Sequence, residues 1–428
     1  MPDEPWVDDA AAVDQPDAVV DPDEEADVLD DADDADDEGA GNGKPKRRGK
    51  VKKRHTVARV LAVTTLALAM VTGLTVVYSF RHLSGNLNVA DYSQDLQNRP
   101  EKKKVEGPKE PLNILIMGTD TRQGEGNNID NQAGEGGSDT TILVHLSADR
   151  EHAYGISIPR DSMVDRPACD KGAIPAASYQ MWNAAFAIGG PACTIQQFEQ
   201  LTGILVDHYV TVDFNGFQEM VDAVGGVEVC IPETIDDRSH GIYLEAGTRE
   251  ISGRQALSYV RQRYAVGDGS DIGRLKRQQA FVASMSNKVL SAGTLTSPTR
   301  LLGFLNAATK SLTVDPGLSN MGKIAKLGIE FRNINPSNIQ FLTIPWTVDP
   351  SNPNRVWAPE AKVVWRRIAL DKPLTRRLTV DAISAARPPD GQEKTKNKKN
   401  KNGSASASPS ATPTDQADQA AAAAGLCT

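Results

Sequence analysis

The chain has 428 residues and a net charge of −9, an average that conceals two populations. Residues 1–43 hold 18 of the 56 acidic groups and no Lys or Arg, so the remainder sets 47 basic groups against 38 acidic ones, a balance of +9. A basic remainder suits an anionic partner (nucleic acid, phosphate or membrane surface), while four cysteines with no Cys-x-x-Cys pair exclude a disulfide-dense scaffold and give no sign of zinc.

In chain order, the Asp- and Ala-rich stretch 3–38 carries too few large apolar groups to offset its ordering entropy and reads as a disordered tail. It is followed by KPKRRGKVKKR, residues 44–54, with eight Lys or Arg. Residues 1–56 thus form a tail, acidic and then basic. Residues 57–80, VARVLAVTTLALAMVTGLTVVYSF, are interrupted only by Arg59, near the start where it can snorkel. About 20 such residues cross a bilayer as helix. Positive charge stays on the cytoplasmic side, which puts the N-terminus inside and the residues after Phe80 outside. A cleaved signal peptide has a shorter apolar core nearer the N-terminus and a small-x-small site after it. Residues 57–80 therefore read as a single-pass signal anchor in the cell membrane. Topology and anionic lipid explain the adjoining basic stretch better than nucleic acid does.

Residues 81–110 are polar and read as an extracytoplasmic stalk. From Pro111 come short apolar runs of strand length, LNILIMGTD, TTILVHLSAD and AYGISIPRD, whose continuous apolarity suits a sheet covered on both faces. AAFAIGG and TIQQFEQLTG read as helices, HYVTVDF as a strand, NGFQEMVDAVGG as a helix stopped by glycines, and VEVCIP as a strand. Ser252 opens a short helix that leads into VRQRY. Ser270 or Asp271 caps a long helix, SDIGRLKRQQAFVASMSNKVL. Two helical stretches and the strand IQFLTIP follow. The mixed order predicts a layered α/β domain over 111–372. Residues 373–428 read as a low-complexity tail, and its Lys cluster offers charge to an anionic wall polymer if it does anything beyond staying solvated.

Arginines carry the chemistry. Arg160 ends a strand, Arg261 and Arg263 share a face if VRQRY is extended, and Arg274 and Arg277 share a face of the long helix near its N-terminus. A helix N-terminus offers free N–H groups, and guanidinium adds a forked donor for phosphate oxygens. Five arginines meeting at one point would bind a diphosphate; apart, they are surface charges. Asp120 and Asp139 close and open neighbouring strands, where two carboxylates hold Mg²⁺ or serve as turn and cap residues. His145 and His208 lie in strands and read as structural. No Gly-x-Ser-x-Gly elbow, phosphate-binding P-loop or His-Glu-x-x-His occurs. Cys169 and Cys193 flank a loop on the side where disulfides persist, and a bridge between them would stabilise by about 3 kcal/mol. Cys230 reads as a buried thiol, and Cys427 as reactive or incidental.

The segments NILIMGTDTR, SDTTIL, SIPRDS, WNAAFAIGG, DHYVTVDFNGF, VDAVGGVEV, ISGRQALSYVRQR and SDIGRLKRQQ occur in the order seen in the LytR-CpsA-Psr family, which the chain resembles over 111–372. The resemblance implies a three-layer α/β/α domain with a mixed central sheet and a long apolar pocket for a polyprenyl chain. It also implies transfer of a glycopolymer with its phosphate from a polyprenyl diphosphate carrier onto peptidoglycan. By motif position, Asp120 and Asp139 become the Mg²⁺ ligands, with Mn²⁺ as the alternative ion. Arg122, Arg160, Arg261, Arg263 and Arg274 become the diphosphate clamp, and Gln278 a further contact. Asp271 becomes the group that orients or deprotonates the acceptor, which makes Arg160, Asp271 and Arg274 the catalytic set. Two positions depart from the family pattern: Gly137 and Met181 stand where many members carry Arg and Lys. The alternatives are a non-catalytic binder of lipid-linked wall glycopolymer and a lipid diphosphate pyrophosphatase. Transcriptional regulation fits neither the topology nor the lack of a helix-turn-helix signature.

Overall fold

A computed structural model describes residues 54–119, 137–238, 241–262, 266–290, 297–386 and 421–427. The acidic tail and most of the low-complexity tail lie outside the described residues. So do Asp120, Arg122, Arg263 and the side chain of Asp139. The chain divides at Leu66 into two units, inside helix α1 (Arg54–Gly85). Within α1, residues 56–85 make a helix long and apolar enough to cross a bilayer once.

The strands of the second unit are β1 (Asn88–Val89), β2 (Leu112–Thr119), β3 (Ser138–Leu146), β4 (Ala153–Ile158), β5 (Met163–Arg166), β6 (Ala177–Met181), β7 (His208–Val212), β8 (Val227–Ile231), β9 (Ile235–Asp237), β10 (Ile242–Leu244), β11 (Gly247–Ile251), β12 (Leu312–Val314), β13 (Ile339–Thr343), β14 (Trp346–Val348), β15 (Arg355–Trp357) and β16 (Ile383–Ser384). Among the described residues an eight-stranded sheet runs in the order β1-β12-β7-β2-β3-β4-β13-β16. It is mixed: β2 lies parallel to β7 and β4 to β13, whereas β2–β3, β3–β4 and β7–β12 are antiparallel. This is the mixed sheet that the family resemblance implied.

Strand alternation divides the core. Leu115 and Met117 point into a layer built by α2 (Ala184–Thr202) and α8 (Pro359–Ala369), where Phe198 meets Trp365 edge to face. Ile114 and Val210 point the other way, toward α7 (Met321–Arg332). Leu146 and Phe341 meet α5 (Asp271–Leu290) on that same side. A further core joins α3 (Phe214–Ala223), α4 (Gly253–Arg261), α6 (Pro298–Ser311) and the antiparallel β8–β11 pair. The helices begin as their caps dictate. The Asp213 carboxylate accepts from the Gly216 N–H at 2.7 Å, and Ser270 rather than Asp271 caps α5, its Oγ accepting from the Gly273 N–H at 3.0 Å. AAFAIGG and TIQQFEQLTG form one element bent at Gly189 and Gly190, where Pro191 restarts the helix.

Three expectations need correction. Residues 86–110 are no free stalk. β1 joins the sheet edge, Tyr92 and Leu96 pack on the core, Arg99 forks onto buried Glu199, and Lys102 pairs with Asp207 at 2.6 Å. The segment looked solvated because its anchors are charges whose partners lie about 100 positions away. Ordered structure also continues past residue 372, since β16 pairs with β13. Finally, Cys230 is no thiol: it is bridged to Cys427, 197 positions on, and Ala424 and Leu426 of the same short segment are buried. Low complexity around 421–427 masked this anchor. The Cys169–Cys193 bridge is also present, with Cα atoms 5.3 Å apart.

Candidate functional site

The C-terminal ends of β2, β4, β7 and β13 and the start of β3 share one edge of the sheet. Such edges host the sites of open α/β sheets. Arg160 sits two residues beyond β4. Its loop is pinned by the Trp182–Asn183 pair: the Trp182 N–H donates to the Ser162 carbonyl at 2.8 Å and the Asn183 N–H to the Arg160 carbonyl at 3.1 Å. Trp182 is itself buried, and its indole N–H donates to Thr141 Oγ1 at 3.0 Å. The WNAAF motif therefore works as a peg that holds the arginine loop.

The first turn of α5 meets that loop. Asp271 Oδ1 lies 3.1 Å from Arg274 Nη2 and 3.9 Å from Arg160 Nη2, so one carboxylate gathers two guanidiniums above the strand ends. One turn later, Gln278 Oε1 accepts from Thr140 Oγ1 at 3.3 Å, and its amide donates to the Val260 carbonyl at 3.2 Å. Gln278 thus ties β3 to the end of α4, where Arg261 lies 4.4 Å over the Phe214 ring. Asp139 follows Ser138 at a break in the β2–β3 register, where Gly118 pairs with Thr140 and Thr119 with Ser138. Bulges of this kind re-aim side chains next to sites.

The structure brings Arg160, Asp271 and Arg274 together, with Gln278 a turn away. Arg261 is the last residue of α4, so the face-sharing argument for an extended VRQRY does not hold for it. Arg277 leaves the group altogether. It is 1% exposed, donates from Nη1 to the Ala424 carbonyl at 2.8 Å and from Nη2 to the Gln262 carbonyl, and burial lowers its pKa. Of the departures, Met181 is exposed at the end of β6 and Gly137 stands just before β3. The histidines are structural: His145 is buried between Asn113 Oδ1 at 2.8 Å and Asp371 Oδ1 at 3.0 Å, and His208 meets Asp315.

One pair went unforeseen. Asp161, the neighbour of Arg160, is ion-paired with Arg355, whose guanidinium also lies 5.3 Å over the Trp346 ring. The only local signal was the acid following Arg160. Arg355 arrives there because the β14–β15 hairpin folds against the loop, with Ser162 bridging to Arg355.

The sequence model described as the LytR_cpsA_psr family matches residues 79–367. The cell wall biosynthesis protein LcpA of Corynebacterium glutamicum is 33% identical over 262 residues, which are 55% of this chain and 50% of that protein. A polyisoprenyl-teichoic acid–peptidoglycan teichoic acid transferase, TagU, of Enterococcus faecalis is 31% identical over 236 residues, 55% of this chain and 72% of TagU. This chain therefore spans about half the length of LcpA, the first of these relatives. The structure of a LytR-Csp2A-Psr enzyme from Actinomyces oris aligns with a TM-score of 0.50 at 22% identity, over 66% of this chain and 96% of that one, which is a likeness of fold. With its mixed sheet, its ordered motifs and a family match over more than half its length, the chain belongs to the LytR_cpsA_psr family.

Proposed function

We propose that this chain is a membrane-anchored phosphotransferase that moves a glycopolymer with its phosphate from a polyprenyl diphosphate carrier to a hydroxyl of peptidoglycan. The observation that carries the reading is Asp271 holding Arg160 and Arg274 together at the first turn of α5. The acceptor oxygen attacks the phosphorus that bears the glycan, the bond to polyprenyl phosphate breaks, and charge spreads over the non-bridging oxygens. Arg160 and Arg274 offset that charge, with Arg122, Arg261 and Arg263 as further donors. Asp271 orients the two guanidiniums and is the group placed to take the acceptor proton. Gln278 sets the spacing between β3 and α4 and offers a further contact.

Asp120 and Asp139 would hold Mg²⁺, or Mn²⁺. The register fits this, since Thr119 and Ser138, their chain neighbours, are opposed at adjacent strand ends. Two carboxylates there make a hard oxygen set. When bound, the ion would offset diphosphate charge. The isoprenoid is assigned to the sheet face under α5 and α7. Ile116 pairs with Ile142 on the face that carries Thr140, and Ile116, Val212 and Leu312 are only partly buried there.

The basic stretch before α1 favours a cytoplasmic N-terminus and an outer domain, and the two disulfides among the described residues suit an oxidising compartment. The test is transfer from a lipid diphosphate-linked glycan to peptidoglycan by the purified chain. Arg160→Ala should lose about 10²–10³-fold in turnover while the domain stays folded. Near-wild-type transfer by that variant, or glycan binding without turnover by the parent, would sink the assignment.

A further inference from the structure

Beside the clamp lies a cleft of ≈ 620 Å³ that the transfer reading does not use. It shares its backbone with the clamp on two sides. Ser270 and Ile272, which flank Asp271, line it, and so does Gly273 next to Arg274. Arg355 lines it too, ion-paired with Asp161, the neighbour of Arg160. Position along α5 divides the two sites: Asp271, Arg274 and Gln278 fall on one face of the helix, Gly273 and Lys276 on the other.

The chemistry of the lining differs from that of the clamp. Lys276, Arg355 and Arg377 are matched by Asp268, Glu360 and Asp381. Lys276 meets Asp381 at 2.8 Å, and Arg377 lies 3.9 Å from Glu360. A diphosphate entering here would face as many carboxylates as cations, so this surface does not select for an anion. It does suit a hydroxyl-rich saccharide, whose occasional carboxylate the matched cations can meet. Trp346 lines the cleft with Arg355 over one face of its ring, a cation-backed aromatic of the kind that takes the C–H face of a sugar, and paired charges with the Ser270 and Thr343 hydroxyls supply both donors and acceptors for sugar hydroxyls. The volume is that of a small-ligand site. Ala423 and Ala424 form part of the wall and are held there firmly: the Asp268 N–H donates to the Ala423 carbonyl at 2.8 Å, Arg277 donates to the Ala424 carbonyl, and Cys427 is bridged to Cys230. Gly267 permits this approach, since it has φ +60 and any Cβ there would overlap the Ala423 carbonyl oxygen.

We propose that this cleft is the saccharide subsite for the acceptor glycan, with residues 421–427 as one wall, and that it delivers the acceptor hydroxyl to the clamp across the first turn of α5. The proposal rests on the transfer reading above. Its test measures two ligands separately on the purified full chain: a soluble, uncrosslinked N-acetylglucosamine–N-acetylmuramic acid fragment for the cleft, and geranylgeranyl diphosphate for the clamp. Trp346→Ala should weaken fragment binding about tenfold, as loss of an aromatic anchor does. Trp346→Phe should restore most of it, and neither variant should change diphosphate binding, which serves as the control for folding. Fragment binding indifferent to Trp346→Ala, no fragment binding by the parent chain, or a parallel loss of both ligands would overturn the subsite. Trp346-dependent fragment binding by a parent chain that ignores geranylgeranyl diphosphate would uphold the subsite and sink the transfer reading instead.

Discussion

Two arginines a turn apart on one helix are used in opposite ways. Arg274 on α5 leans on Asp271 and, through it, approaches Arg160 at the sheet edge. Arg277, three residues later, is sealed inside and spends both terminal nitrogens on backbone carbonyls of residues 262 and 424. Both are buried, Arg274 at 5% and Arg277 at 1% exposure, and spacing along the helix does not say which will pair with a carboxylate and which with backbone carbonyls. That is settled by what docks from elsewhere, here a short segment 147 positions away. A guanidinium that recognises phosphate must keep donors within reach of the site, whereas one that fastens backbone is most effective when water is excluded.

The sharpest way to break this contrast is at the carboxylate. Asp271→Asn keeps shape and removes the charge that gathers Arg160 and Arg274, so transfer should fall about 10²–10³-fold with little change in thermal midpoint. Unchanged kinetics would show that the two arginines are placed without it. The contacts of Arg277 should answer in stability instead. Cys427→Ser frees residues 421–427 from Cys230, and denaturant unfolding should register a loss of about 2–4 kcal/mol. An unchanged midpoint would mean that burial of Ala424 and Leu426 with the Arg277 bonds is sufficient. The smallest effect is expected at the opposite sheet edge, beside the β3–β4 turn that carries Arg150. Burial pushes the Glu330 carboxyl up, but bonds from Arg150 and Lys109 outweigh it and hold it below the usual carboxylate range. Its folded-state value is therefore depressed. It contributes stability above the usual range and loses that contribution as pH falls through the folded-state value. Glu330→Gln should cost about 1 kcal/mol near neutral pH and flatten the acid limb of the stability profile. An unaltered acid limb would move the titrating group elsewhere.

What could be read from residues alone divides along the same line. Strand runs, caps and glycine stops depend on neighbours a few positions apart, and β2, β3, β4, α2, β7, α3, β8, α4 and α5 follow them, whereas the short strands β5, β6 and β9 to β11 carried no such signal. The meeting of Arg160 with Asp271 and Arg274 needs a fold, because a loop after β4 must reach a helix more than a hundred residues later. Only the resemblance supplied that link. Arg355 had no such help. Its placement depends on the β14–β15 hairpin folding against the Arg160 loop and on an acid whose sequence neighbours gave no direction. The polar stretch 86–110 and the segment 421–427 failed for a related reason. Charges and alanines look solvated until Glu199, Asp207 or Cys230 is known to lie opposite.

The Cys230–Cys427 bridge also changes what backbone cleavage can do. It turns everything between those two positions into a covalent ring, so hydrolysis of any one peptide bond from 387 to 420 yields two polypeptides that remain one molecule. Release of residues 421–427, and with them a wall of the cleft, would take both a proteolytic cut and a reductant.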